Sequence, residues 1–329
     1  MLPLNIYIYI IHTQDMTTTP IPEWFANAIS QSRTSHYLHY ENLKVVHYVK
    51  YSPEKHSTNK PSIIWVHGGF AHAHWWDFFA PFFVENFNCF AIDLRGCGNS
   101  THQDEYSYRE FSSDIIDLCK NEKLINNNKL YLIGHSMGAS ICMQCGEDYG
   151  EYINGMILLD GVIAPPELYG APPPTNPKIY YYKTKEELTN RFQLRPPQKK
   201  CKNQFIIDYV KDHSVKFVEG KGWTWKFDKE CVQKNVTRGS NEYQAYRLAR
   251  IKKNVKVYAV YGEHSFFYQD VRKLNFLNEQ MAEQHQTIPV KIYNAEHHIM
   301  ADEPLQTIAC IETIINNWEF DSIKYNAKL

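Results

Sequence analysis

No block of like charge runs through this chain; its 35 lysines and arginines and 36 aspartates and glutamates are interspersed. That balance removes the footprint expected of a nucleic-acid face or an electrostatically held membrane surface. Long apolar runs are missing too. The stretch LPLNIYIYII (2–11) is too short to cross a bilayer and lacks the basic flank and small-residue cleavage site of a secretory leader. Residues 1–20 are expected to form an unstructured extension, with Met16 an alternative start. Secretion is the lesser reading, under which Asn235-Val236-Thr237 would be a glycosylation acceptor. Metal-type cysteine spacing is scarce as well. Of eight cysteines only Cys142 and Cys145 form a CxxC, with no second pair or histidine at zinc-ligand distance in sequence. The expectation is reduced thiols, a cytoplasmic setting and no metal. Internal repeats and low-complexity tracts are absent.

Present instead are short continuous apolar runs that stop abruptly at turns. SIIWV (62–66) ends at His67-Gly68-Gly69, and CFAI (89–92) ends at Asp93. LYLI (130–133) ends at Gly134, and MILL (156–159) ends at Asp160-Gly161. Hydrophobicity without alternation marks strands buried on both faces, and strand–turn–helix repetition marks a mostly parallel sheet. The pattern breaks at Pro165-Pro166 and resumes with VKVYAV (255–260) and VKIY (290–293), before an amphipathic helix near 305–318. The block between carries proline joints such as Pro172-Pro173-Pro174, helical patches such as 185–192, and the aromatic segment GWTWKF (222–227). The expected fold class is α/β, a mostly parallel central sheet with flanking helices. Its core would comprise residues 21–164 and 251–329, and residues 165–250 would be an insertion.

In such a sheet, chemistry sits outside the carboxyl ends of the strands. Gly134-His135-Ser136-Met137-Gly138 lies at one of these ends, between an apolar run and a helical pattern. A GxSxG turn there forces the serine into a strained conformation and presents its hydroxyl, so Ser136 is read as a nucleophile rather than a plain turn residue. A serine hydroxyl needs a base. His297, just past the last strand, is preferred to its neighbour His298. The base needs a carboxylate. The position expected after the strand at 255–260 is occupied by Ser265, which cannot serve. Asp160, at another strand end on the same edge, is preferred to the alternative acid Glu263, with Asp302 and Glu303 behind. Oxyanion donors would be the Met137 N–H and that of Gly69, with Phe70 second. Phe70, His135, Trp223 and Trp225 are expected to line the substrate pocket. His72 and His74 read as polar lining, no third ligand being evident, and Trp75 and Trp76 as packing beneath the loop.

Taken together, HGGFAHAHWW (67–76), DLRGCGNS (93–100), GHSMGA (134–139), LLDG (158–161) and EHHIMADEP (296–304) resemble the α/β-hydrolase superfamily, in the superfamily's order over about 40–320. The chain looks similar to poorly characterised esterase-like members with an HGG-x-AHA-x-WW loop. The resemblance implies Asp160 as the acid and a helical cap formed by 165–250. It also implies a serine hydrolase that needs no cofactor and acts on a small-molecule ester, with neither nucleic acid nor stable membrane insertion involved. Carbon–carbon bond cleavage, lyase chemistry, or ligand binding without turnover are the rivals. Oligomeric state has no signal in the sequence. Two departures stand out: Glu296 where a glycine usually precedes the histidine, and Ser265 in place of an aspartate.

Overall fold

The computed structural model describes residues 21–125, 129–170, 178–199, 201–231 and 239–326. The expected N-terminal extension, Pro172-Pro173-Pro174 and the Asn235 sequon lie outside them. Ten strands are described: β1 (Arg33–His39), β2 (Val45–Tyr51), β3 (Ser62–Val66), β4 (Asn88–Ile92), β5 (Leu130–His135), β6 (Gly155–Leu159), β7 (Val215–Val218), β8 (Gly222–Trp225), β9 (Lys256–Gly262) and β10 (Val290–Ile292). The helices are α1 (Glu23–Ser30), α2 (Tyr108–Asn121), α3 (Met137–Tyr149), α4 (Lys185–Thr189), α5 (Gln204–His213), α6 (Asn241–Ala245), α7 (Val271–His285), α8 (Ile299–Asp302) and α9 (Pro304–Asn326). Among the described residues no helix is long and apolar enough to cross a membrane.

Eight strands form one sheet in the order β1-β2-β4-β3-β5-β6-β9-β10. It is parallel from β4 to β10, and β2 meets both β1 and β4 antiparallel. The four central apolar runs are buried on both faces, as continuous hydrophobicity requires. Alternation decides which layer each side chain enters. Ile63 and Trp65 join Tyr131, Ile133, Trp76 and Phe79 on one face, while Ile64 and Val66 join Leu130, Leu132, Phe111 and Ile141 on the other. The Trp76 indole lies 5.1 Å from that of Trp65, so Trp76 packs against β3 beneath its loop, while Trp75 meets His298.

Strand β1 is an addition to the sequence reading. Its residues RTSHYLH bury only Leu38, so this edge strand carries no apolar alternation to read. The segment between β6 and β9 contains α4, α5 and α6 and also the β7–β8 hairpin, so it is not wholly helical. All eight cysteines are free thiols.

Asp93, directly after β4, ties three parts of the molecule together. Its carboxylate accepts from the His47 imidazole at 2.7 Å, the Ala73 N–H at 2.6 Å and the Asn99 N–H at 2.8 Å. Burial alone would raise its pKa, but the hydrogen bonds from His47 and from the Asn99 N–H hold it well below the usual carboxylate range. Replacing it strands the buried His47 imidazole and Ala73 N–H. Asp93→Ala should cost about 3–5 kcal/mol of unfolding free energy in urea titrations, and a loss under 1 kcal/mol would show that this knot does not hold the loop.

Candidate active site

Strand β5 stops at His135 and α3 starts at Met137, so Ser136 alone makes the turn. Its φ of 53° and ψ of −116° lie where side-chain-bearing residues pay about 1–3 kcal/mol of strain. The surroundings enforce that geometry. The Ser136 N–H donates to the Leu159 carbonyl at 2.9 Å, and its own carbonyl accepts from Ala139 at 3.0 Å. A Cβ on Gly134 would stand 2.5 Å from the Gly138 carbonyl carbon, and one on Gly138 would stand 2.3 Å from the Val66 oxygen. Helix α3 thus starts in direct backbone contact with the end of β3, which no side chain permits. From the loop after β3, a Cβ on Gly68 would be 3.2 Å from the Ser136 Cβ. Beside the serine, among the described residues, the Gly69 and Met137 N–H groups have no acceptor.

Asp160 follows β6, at a φ of 47° and fully buried. Its Oδ2 accepts from His297 Nδ1 at 2.6 Å and from Ser265 Oγ at 2.6 Å, and its Oδ1 from the Gly262 N–H at 3.0 Å. The His297 carbonyl in turn accepts from His135 Nε2 at 3.0 Å, and the two rings lie 4.6 Å apart. The chain neighbour of Ser136 therefore holds the backbone of His297. Strand-end geometry brings a strained serine, a histidine and a buried carboxylate to one edge of the sheet.

That arrangement sits within a matched family pattern: the model of the alpha/beta hydrolase fold matches residues 61–304. The chain belongs to the α/β-hydrolase fold family. It is 30% identical over 142 residues to a candidate esterase/lipase of Haemophilus influenzae, covering 43% of this chain and 48% of that one. With Epoxide hydrolase 1 of Caenorhabditis elegans it shares 31% over 123 residues, 36% of this chain and 29% of that protein. The chain thus spans half or less of these curated relatives. The thioesterase domain from the curacin biosynthetic pathway superposes with a TM-score of 0.67 at 18% identity, covering 85% of this chain and 99% of the domain. An esterase from Mycobacterium tuberculosis does so at 0.64 and 15%, covering 89% and 95%. At such identities the two structures speak to the fold.

Within this α/β-hydrolase fold, the other sequence-derived residues fall into place unequally. Glu263 does not reach His297. Its carboxylate accepts from the Asn294 N–H at 3.1 Å and faces Lys291 at 3.8 Å. Glu303 pairs with Lys202, and Asp302 accepts from Gln198 and from the Glu296 N–H. The Glu296 side chain turns away from the histidine to accept the Lys199 N–H at 3.0 Å, which is how the position tolerates it. His298 donates Nδ1–H to Gln198 Oε1 at 2.6 Å, and its ring lies tilted 5.6 Å from that of Trp75. Phe70, at a φ of 63°, lies 5.2 Å from Phe227, which stacks on Trp225 at 5.8 Å. Trp223 stands apart, beside Phe217 at 5.7 Å and paired through its backbone with Tyr182. Sequence reasoning missed two participants. Ser265 reads as an absent acid but is the donor that serves Asp160, and Gln198 gives no local signal at all.

Burial pushes the pKa of His67, His135 and His298 below the ordinary imidazole value, and proximity to a second imidazole, His297, acts in the same direction on the last two. The unfolded chain then binds protons that the folded one refuses, so stability rises with pH and is lost as pH falls through about 6.5. Each such histidine removes up to about 1.4 kcal/mol per pH unit. The melting temperature should drop between pH 7 and 5.5, and His298→Gln should flatten that slope. A flat profile in the unsubstituted protein would contradict the buried neutral imidazoles.

Proposed function

We propose that this protein is a serine hydrolase that cleaves an ester-like bond in a small apolar or aromatic substrate through an acyl-enzyme. The observation carrying this reading is the buried 2.6 Å pair of His297 Nδ1 and Asp160 on the sheet edge that also carries the strained Ser136. With Nδ1–H committed to the carboxylate, His297 Nε2 keeps its lone pair and takes the Ser136 proton as the hydroxyl attacks the carbonyl. Asp160 stabilises the imidazolium that forms. The unpaired N–H groups of Gly69 and Met137 supply the two donors an oxyanion needs. His297 then returns the proton to the leaving alcohol, and water releases the acyl group by the same steps in reverse. The esterase names among the related proteins support the ester reading.

Residues 165–250 act in this reading as a cap. Contacts from Trp225 through Phe227 to Phe70, and from Gln198 to His298 and Asp302, support that role. An aromatic wall of this kind favours apolar acyl or alcohol groups.

A fluorophosphonate probe should label the wild type and not Ser136→Ala, and short-chain aryl esters should be hydrolysed only by the former. Asp160→Asn should lower kcat about 10⁴-fold, as loss of the correct tautomer does in such triads, whereas Glu263→Gln should stay within about twofold of wild type. Labelling that survives Ser136→Ala would refute the assignment. Clean labelling without ester turnover would redirect the reading to carbon–carbon cleavage or ligand binding.

A further inference from the structure

His72 and His74 have no role in the chemistry above, and in sequence they lack a further ligand. The fold supplies two. The turn Ala73–Trp76 brings Asp77 back beside His74, whose Nδ1 lies 2.9 Å from Asp77 Oδ2. Helix α5, from the inserted segment, ends at His213, whose ring stands 4.6 Å from that of His74. One nitrogen of each histidine and one Asp77 oxygen all lie within 4.8 Å of one another.

Tautomers can be read from the hydrogen bonds. His213 donates Nδ1–H to the Tyr209 carbonyl at 2.9 Å, which leaves Nε2 as a bare lone pair. His72 Nε2 faces the Ser214 hydroxyl at 2.9 Å and the Val210 carbonyl at 3.1 Å, while that hydroxyl itself donates to Val210. His72 must therefore donate from Nε2, and its Nδ1 is a buried lone pair without any partner. Its ring lies 5.8 Å from His74 and 6.5 Å from His213. Two imidazoles from separate parts of the chain thus flank one buried carboxylate, with the His72 ring next to both. A hydrogen-bonded core cluster accounts for Asp77, whose oxygens also accept from Tyr51 and Tyr209. It leaves the Nε2 lone pair of His213 without a donor among the described residues.

We propose that His74, Asp77 and His213 bind one divalent transition-metal ion of the zinc type, pinning α5 to the loop that follows β3. Imidazole nitrogens with a carboxylate are a donor set suited to such ions. Binding displaces the proton that His74 shares with Asp77, so the ion enters as a proton leaves. Arg33, with Nε 3.3 Å from Asp77 Oδ2, is the cation that neutralises the carboxylate without metal. It is partly exposed and also bonds to the Ile29 carbonyl at 2.7 Å, so it has somewhere else to go.

The test uses the chelator-treated full chain titrated with Zn²⁺ in a calorimeter, with melting temperature read in parallel. One equivalent should bind, and excess Zn²⁺ should raise the melting temperature by several degrees. His213→Ala, at a partly exposed position, and His74→Ala should each weaken binding at least about tenfold. Arg33→Gln should bind as tightly as wild type or tighter, because it removes a competing cation. Ser136→Ala should bind normally, which separates this proposal from the hydrolase reading, and His264→Ala at the surface should also be unchanged. Absence of stoichiometric binding by wild type, or equal binding by His213→Ala, would overturn the proposal.

Discussion

The start of α3 touches the end of β3 through bare backbone, and the candidate site follows from that contact. With Gly138 set against the Val66 carbonyl and Gly134 against Gly138, the chain has one residue in which to turn from strand to helix. Only a positive φ makes the turn that quickly, so the residue there is held out of the sheet with its side chain presented. A serine at such a place costs folding energy and returns none. The cost is met by the central strands, which bury nearly every side chain on both faces.

Asp160 poses the opposite problem, a carboxylate wholly out of water. Such a group is tolerated only when its oxygens are fully engaged. Here three donors engage them, from β9, from the turn after it and from the histidine loop. The hydroxyl of Ser265 is one, so the position where the resemblance leads one to expect an aspartate supports the Asp160 carboxylate from the donor's side. Moving the carboxylate from the end of β9 to the end of β6 keeps it on the same sheet edge, because Leu159 and Val260 are register partners. The histidine need not move. This exchange is conservative in space although it spans a long stretch of sequence.

What could be read without coordinates divides along that line. The central strands were legible because double-sided burial leaves unbroken apolar runs, and the strand-end positions of Ser136, Asp160 and His297 were legible because each follows such a run. Position along the chain sufficed for them. Strand β1 was not legible, since an edge strand that buries Leu38 alone has no pattern to show. What position could not give was the direction of each carboxylate: that of Asp160 accepts from His297, whereas that of Glu263 faces Asn294 and Lys291. Gln198 and His213 were illegible for a further reason. Both lie in the inserted segment, where proline joints and short helices erase periodicity, and their partners are set only by how that segment folds back.

That fold-back bears on how the site can work. The inserted segment touches the core at chemically distinct points: Gln198 on His298 and Asp302, Phe227 on Phe70, the Asp228 N–H on the Gly96 carbonyl, and His213 beside His74. The Gly96, Phe70 and His74 contacts fall on the loops after β4 and β3, while the Gln198 contact falls on the loop carrying His297. A displacement of the segment therefore cannot leave both sides of Ser136 unchanged. It would shift the backbone donors beside the serine, or the histidine, or both together. Under the proposed function, substrate access and alignment of the reacting groups would be linked through these contacts, of which the hydrogen bonds are individually worth about 1 kcal/mol.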